Sequence, residues 1–254
     1  MQNKNKTVVK SLTVLNLFRT HSRLTLHEIV HLSGIPKTSA HRMVGSLTDM
    51  GLLTKDSDGY YSLGLLFLEF GHLVSQRIDL RKVAKPHMEA LRDEVNEAVN
   101  LTLKDGDEAV YIEKLDTDHP VRLFTQVGRR SPLYTGACSR IILAYMDEVE
   151  QDTYIRNTEL KRLAEKTIED QSELKNVLKQ SRINGFAISY SELENNTVSI
   201  AAPIFNISGQ IIGGLSVAGP ELRFSTDRTA DMIQKVKQTA HTISTELGFT
   251  DQPK

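Results

Sequence analysis

Between Leu26 and Met50 the chain has room for two helices but not for one continuous helix, and this break constrains the fold more than any other feature. Leu26, Ile29 and Val30 share a helical face. Thr25 stands before them with a hydroxyl that can cap a free amide, and Glu28 holds the capping-box position. Ser33-Gly34-Ile35-Pro36 then interrupts the period. Proline lacks an amide proton and is tolerated only in the first turn of a helix, so Pro36 opens a further helix that runs to about Met50 and is closed by Gly51. Upstream, Val8, Leu12, Leu15 and Phe18 recur every three or four residues and predict a first helix of about four turns.

In the third helix Ala40, Met43, Val44 and Leu47 face one way, leaving Lys37, Thr38, Ser39, His41 and Arg42 on the other. Strand-like runs at Leu52 to Lys55 and Tyr60 to Leu63 follow, separated by Asp56-Ser57-Asp58-Gly59, a strong hairpin signal because Asp-Gly tolerates positive φ. Three helices and a two-stranded wing describe a winged helix-turn-helix. A helix about 10 to 12 Å wide fits the major groove of DNA. Arg42 can fork onto a guanine, Lys37 and the helix-start amides can take phosphate, and Thr38, Ser39 and His41 can donate or accept; Lys55 on the wing completes the expected DNA-contact set. The competing reading is an all-helical packing unit whose polar residues are merely solvated. Charge favours the first reading, because residues 1–82 carry a net +5 and the remainder −6 within a chain of net −1.

His27-Glu28-Ile29-Val30-His31 matches H-E-x-x-H, which taken alone denotes a zinc hydrolase. Such a site needs a third protein ligand and a buried helix in a cleft, whereas this helix is only about eight residues long and its buried face is taken by Leu26, Ile29 and Val30. A second enzymatic alternative is a cysteine hydrolase: Cys138, near a helix start that lowers its pKa, with His119 or His241 as base. No nucleophile elbow, phosphate loop or dinucleotide fingerprint supports catalysis, so no catalytic, metal or cofactor site is expected. The single cysteine excludes an internal disulfide. With no apolar run near the roughly 18 residues of a membrane span and no secretory start, the expected location is the cytoplasm, with no membrane partner.

Leu65 to Gln76 is strongly apolar and predicts a linker helix that pairs with a second copy or packs on the chain's own first helix. The expected organisation is a winged helix-turn-helix over 7–65, a linker or dimerisation helix over 66–78 and an effector domain over 79–250. In that last part the periods alternate: a helix near Val83 to Glu94; strands at Ala98 to Leu103, Ala109 to Leu115 and Val121 to Val127 forming an antiparallel meander; and helices at Ala137 to Tyr145, Glu148 to Ile168 and Gln171 to Asn184. Strands at Phe186 to Ser191, Val198 to Phe205 and Ile211 to Val217 and a final helix from Thr226 to Leu247 follow. The fold class is α+β, with a cup where strand ends and loops converge. Ser189, Ser199 and Ser216 place hydroxyls on otherwise apolar strands, and Thr135-Gly136-Ala137-Cys138-Ser139 opens a helix whose free amides suit a carboxylate. The alternative is that these hydroxyls only satisfy backbone groups.

Leu24-Thr25-Leu26-His27-Glu28-Ile29, Gly34-Ile35-Pro36-Lys37-Thr38-Ser39-Ala40-His41-Arg42 and Tyr60-Tyr61-Ser62-Leu63-Gly64 together resemble the N-terminal signature of the IclR family of bacterial transcription regulators. The resemblance continues through Val127-Gly128-Arg129, Gly185-Phe186-Ala187, Ile200 to Phe205 and Leu215 to Pro220. It implies a DNA-binding dimer, often a dimer of dimers, on a near-palindromic operator, with a GAF-like C-terminal antiparallel-sheet domain that binds a small organic, frequently carboxylate, effector. It also implies ligand contacts at Ala137, Cys138, Ser189, Ser199, Ser216 and Ala218, and apolar packing at Leu123. Similar proteins commonly carry an aspartate, a cysteine and a second serine where this chain has Ser189, Ser199 and Ala218, a lysine at Arg140 and a glycine at Asn196. A repressor is the expected sign.

Overall fold

The structure, a computed structural model, describes residues 5–76 and 79–250, and the chain divides into two compact units, one up to residue 78 and one from residue 79. In the first unit, helix α1 (Lys6–Leu17) is followed by a two-residue strand β1 (Leu24–Thr25), helices α2 (Leu26–Ser33) and α3 (Lys37–Asp49), the wing strands β2 (Leu53–Lys55) and β3 (Tyr60–Leu63), and helix α4 (Leu66–Gln76). Thr25 and Glu28 form the full capping box at the start of α2. Gly34 ends α2 at φ +67°, a left-handed position that costs glycine nothing, and its amide closes on the Val30 carbonyl. The wing is wider than expected: β1 adds to the free edge of β3, so the sheet order is β1-β3-β2.

Val14, Ile29, Ile35, Ala40, Val44, Leu47 and Leu53 fill the core of this unit. The first helix keeps only the C-terminal half of the expected stripe, Phe18 and a half-buried Leu15, and adds Val14 to it. Val14 and Phe18 turn inward, while Val8 (64% exposed) and Leu12 (57%) face solvent. Leu65, Leu68, Phe70 and Leu73, on and beside α4, are also exposed. These four side chains are therefore not spent on the unit's own core.

The second unit opens with α5 (Asp79–Val95), which starts a turn earlier than the expected Val83 and so carries Pro86 in its interior. The proline sits on the solvent side, while Leu80, Ala84, Met88, Leu91 and Val95 make the buried stripe. A six-stranded antiparallel sheet follows, ordered β6-β5-β4-β9-β8-β7, from β4 (Ala98–Asp105), β5 (Glu108–Leu115), β6 (Arg130–Pro132), β7 (Ala187–Tyr190), β8 (Thr197–Phe205) and β9 (Ile211–Pro220). Early and late parts of the chain meet at the β4–β9 seam in the middle. Residues 121–127 do not form the expected strand: of the alternating residues Val121 and Val127 are exposed, as is Phe124 between them, and the edge of β5 is taken instead by β6.

Helices α6 (Ala137–Tyr145), α7 (Glu148–Asn157), α8 (Gln171–Asn184) and α9 (Thr226–Glu246) complete the unit, with a short 3-10 turn at Glu221–Arg223. The expected helix to Ile168 stops at Asn157, because beyond it the Thr167 hydroxyl holds the backbone in a compact loop, accepting from the Leu163 and Ala164 amides. Helix α6, buried from Ala137 to Ala144, lies on the sheet, close enough for a Cβ on Gly214 to come within 2.6 Å of the Cys138 carbonyl oxygen. Glycine at that position permits the approach.

Candidate nucleic-acid interface and ligand cavity

Lys37, Thr38, Ser39, His41 and Arg42 are all exposed on α3, at the end where the chain enters the helix. Pro36 supplies no side-chain cap there, so the first-turn amides are not claimed by a neighbouring side chain. Lys55 is exposed on β2, with its ammonium 5.4 Å from the centre of the Tyr61 ring. Sequence reasoning missed Arg23, whose guanidinium lies 4.5 Å over the Tyr60 ring and adds charge beside the wing; its only signal was a basic residue before β1. The H-E-x-x-H residues take other parts. His27 and His31 are exposed, and the Glu28 carboxylate accepts from the Thr25 amide at 2.7 Å and the Thr25 hydroxyl at 2.8 Å, bonds that hold its pKa below the ordinary value. Among the described residues, no three His, Cys, Asp or Glu side chains gather as a metal site.

In the second unit the strand pairing aligns Ser189, Ser199 and Ala218 across β7, β8 and β9. One step along, Ala201, Ser216 and Asn100 align across β8, β9 and β4. Because side chains alternate by two along a strand, these rows share a face. That face and the start of α6 enclose a cavity of about 30 Å³, and all seven expected ligand residues line it: Leu123, Ala137, Cys138, Ser189, Ser199, Ser216 and Ala218. Sequence reasoning did not single out Asn100, Tyr111, Arg129 or Glu194, which also line it.

The helix-start amides are less free than expected. Gly136 N–H donates to Glu192 Oε2 at 3.3 Å and Ala137 N–H to Ser189 Oγ at 3.0 Å. Glu192 is itself held by a buried ion pair with Arg140, whose guanidinium also donates to the Ile188 carbonyl. Burial raises the Glu192 pKa and the Arg140 charge opposes that rise. Asn196 adopts φ +59°, a left-handed conformation that asparagine tolerates where glycine is usual.

Cys138 departs from the cysteine-hydrolase alternative. Burial pushes its thiol up to about 11, against the pull of the Ser216 and Thr102 hydroxyls, so the helix start does not generate a thiolate. Its Sγ donates to the Gly214 carbonyl at 3.3 Å, and none of the residues lining the cavity is a histidine.

The matches to known proteins agree with this division of labour. The family model described as the IclR helix-turn-helix domain matches residues 7–57, and that described as Bacterial transcriptional regulator IclR C-terminal matches residues 72–245. The chain belongs to the IclR family. It is 54% identical over 250 residues to the HTH-type transcriptional regulator KipR of Bacillus subtilis, covering 98% of this chain and 100% of that protein. It is 30% identical over 247 residues to KdgR of Escherichia coli, covering 97% and 94%. The solved IclR of Thermotoga maritima superposes with a TM-score of 0.79 at 27% identity, over 96% of this chain and 99% of that one. IclR-family proteins of this kind are transcription regulators, not enzymes, which removes both hydrolase alternatives. Among the described residues no helix is long and apolar enough to cross a membrane.

Proposed function

We propose that this IclR-family regulator is a cytoplasmic repressor that binds a near-palindromic operator through α3 and the wing and is controlled by a small carboxylate in the C-terminal cavity. The observation that carries the reading is convergence: seven positions scattered from Leu123 to Ala218 line one cavity, while every polar residue assigned to DNA is exposed on the other unit. Lys37, Thr38, Ser39, His41, Arg42 and Lys55 then make the DNA contacts, and Leu123, Ala137, Cys138, Ser189, Ser199, Ser216 and Ala218 the effector contacts.

The exposed apolar residues of α1 and α4 support pairing with a second copy, as a dimer or a dimer of dimers, since a monomer seldom leaves so many large apolar side chains on one small unit in water. Two copies related by a two-fold axis read two half-sites of opposite sense, hence the near-palindrome. Effector and operator must weaken each other by the same factor. Genome-wide recovery of DNA bound by the full chain, followed by operator titrations with small carboxylates, tests the reading. A recovered two-fold-symmetric sequence released by one such acid is expected; binding without sequence preference would overturn it.

A further inference from the structure

The hydroxyls and helix-start amides leave two features of the cavity unexplained. Asn100, in the middle of β4, is only 3% exposed, lines the cavity, and has a side-chain Oδ1 with no hydrogen-bond partner. Buried carboxamide oxygens are nearly always satisfied, and an orphan is costly to keep. At the rim, Arg129 Nη1 pairs with Glu194 Oε1 at 2.6 Å, with the two side chains 28% and 39% exposed, and both residues line the cavity. A pair that is partly in water is weakly held, so an incoming carboxylate can take the place of Glu194. The Arg140–Glu192 pair, by contrast, is buried, bound to the α6 start and not among the residues that line the cavity, so it serves as a fixed support behind that helix start.

Size points the same way. A cavity of about 30 Å³ has room for little more than a water molecule, so an organic ligand has to open it. Glu194 stands on the loop between β7 and β8, so its side chain can swing outward without moving a strand. Arg129 also donates to the Phe124 carbonyl at 3.2 Å, which keeps its guanidinium at the rim when Glu194 leaves. Tyr111 adds a hydroxyl that burial keeps protonated.

Building on the effector reading above, we propose that the cavity takes a small monocarboxylate bearing one further O–H or N–H donor. Its carboxylate displaces Glu194 from Arg129, and its donor bonds to Asn100 Oδ1. Ligand specificity then lies in Asn100 and Arg129 as well as in the strand hydroxyls.

The test uses the full-length chain and matched acids that differ only in a hydroxyl: lactate and propionate, 3-hydroxybutyrate and butyrate, 4-hydroxybenzoate and benzoate. Calorimetric titration is expected to show at least one hydroxy acid bound more tightly than its partner. Arg129→Gln weakens that binding about tenfold or more, as expected for a charge-assisted contact. Glu194→Gln, which removes the competing carboxylate, tightens it. Asn100→Leu erases the preference for the hydroxy acid and raises the melting temperature of the ligand-free protein, because the orphan oxygen is gone; a merely structural asparagine would lower it. If Asn100→Leu does not fold, the rim variants decide the question.

Equal binding of both members of every pair, binding indifferent to Arg129→Gln and Glu194→Gln, or no binding by any acid overturns the proposal. Operator binding, followed in parallel, separates this from the broader reading. A wild-type protein with no DNA sequence preference defeats the regulator model while the acid titrations stand. An operator response unchanged in Arg129→Gln defeats only the present proposal.

Discussion

Arg223 grips Glu97 through two hydrogen bonds of 2.6 Å, from Nε to Oε1 and from Nη2 to Oε2, and the carboxylate it holds is completely buried. Arg228 adds a third bond at 3.1 Å and also reaches the Val95 carbonyl at 2.9 Å. Glu97 stands between α5 and β4, while the two arginines lie on the 3-10 turn and α9. The cluster therefore ties the end of α5 to the segment leaving β9, across the seam where early and late chain meet, and that seam forms one wall of the ligand cavity.

Removing the bidentate partner should be expensive, because Glu97 would keep a buried charge with only the weaker Arg228 contact. Arg223→Met is expected to destabilise the C-terminal unit by about 3 kcal/mol or more, and Arg228→Met by less. Urea unfolding followed by circular dichroism measures both. A loss under about 0.5 kcal/mol for Arg223→Met, the range of an ordinary surface substitution, would mean that Glu97 escapes to solvent and that the clasp is not structural.

On α3, Arg42 is exposed and is not part of the core of its unit, so its removal separates DNA recognition from folding. Arg42→Ala should weaken specific operator binding by about 1 to 3 kcal/mol and leave the melting curve unchanged. Fluorescence anisotropy on operator and on scrambled duplex reads the two cases apart. Equal losses on both would reassign Arg42 to a phosphate, and no loss on either would remove it from the interface.

The capping box explains the H-E-x-x-H coincidence in terms that pH can check. The folded-state pKa of Glu28 lies below its ordinary value of 4.5, chiefly because of the Thr25 amide. Its contribution is therefore complete above about pH 4.5 and is lost as pH falls through the lower, folded value. Thr25→Ala should cost the N-terminal unit about 1 kcal/mol at neutral pH and flatten the acid limb of its stability profile. His31→Ala should change stability by less than about 0.5 kcal/mol, and metal analysis of the purified protein should find no stoichiometric zinc. One zinc per chain that disappears in His31→Ala would reverse this assignment.

Features fixed by local chemistry were legible in the sequence. The Thr25 cap, the helix break at Gly34, the Asp-Gly wing turn and the ends of α6 and α8 each depend on a few adjacent residues. Features that depend on a distant partner were not. Alternation at 121–127 tells which way side chains point but not whether a strand edge is free, and β6 occupies that edge. The apolar stripe of α1 gave no sign of which of its residues would meet α2 and α3, so Val8 and Leu12 were placed inside. Ser189, Ser199 and Ser216 were found because a hydroxyl on an apolar strand is conspicuous. Asn100, Arg129 and Glu194 reach the same cavity from β4, a turn and a loop, and only the β4–β9 seam brings them there.

Ser216 is where the two halves of the cavity meet. It pairs with Asn100 on one side and Ala201 on the other, and its hydroxyl lies against the Cys138 thiol. It is also almost completely buried, so a larger side chain there has no route to solvent. Ser216→Leu should fill the roughly water-sized space and abolish the response of operator binding to effector, leaving ligand-free operator affinity unchanged, since every residue proposed to contact DNA lies on the other unit. Overpacking can cost about 1 to 3 kcal/mol, so a melting curve must accompany the titration, and Ser216→Ala, which removes the hydroxyl without adding bulk, serves as the second variant. The expected order of effector midpoint is wild type tightest, alanine weaker and leucine unresponsive. A folded leucine variant with an unchanged midpoint would place the effector elsewhere on the chain.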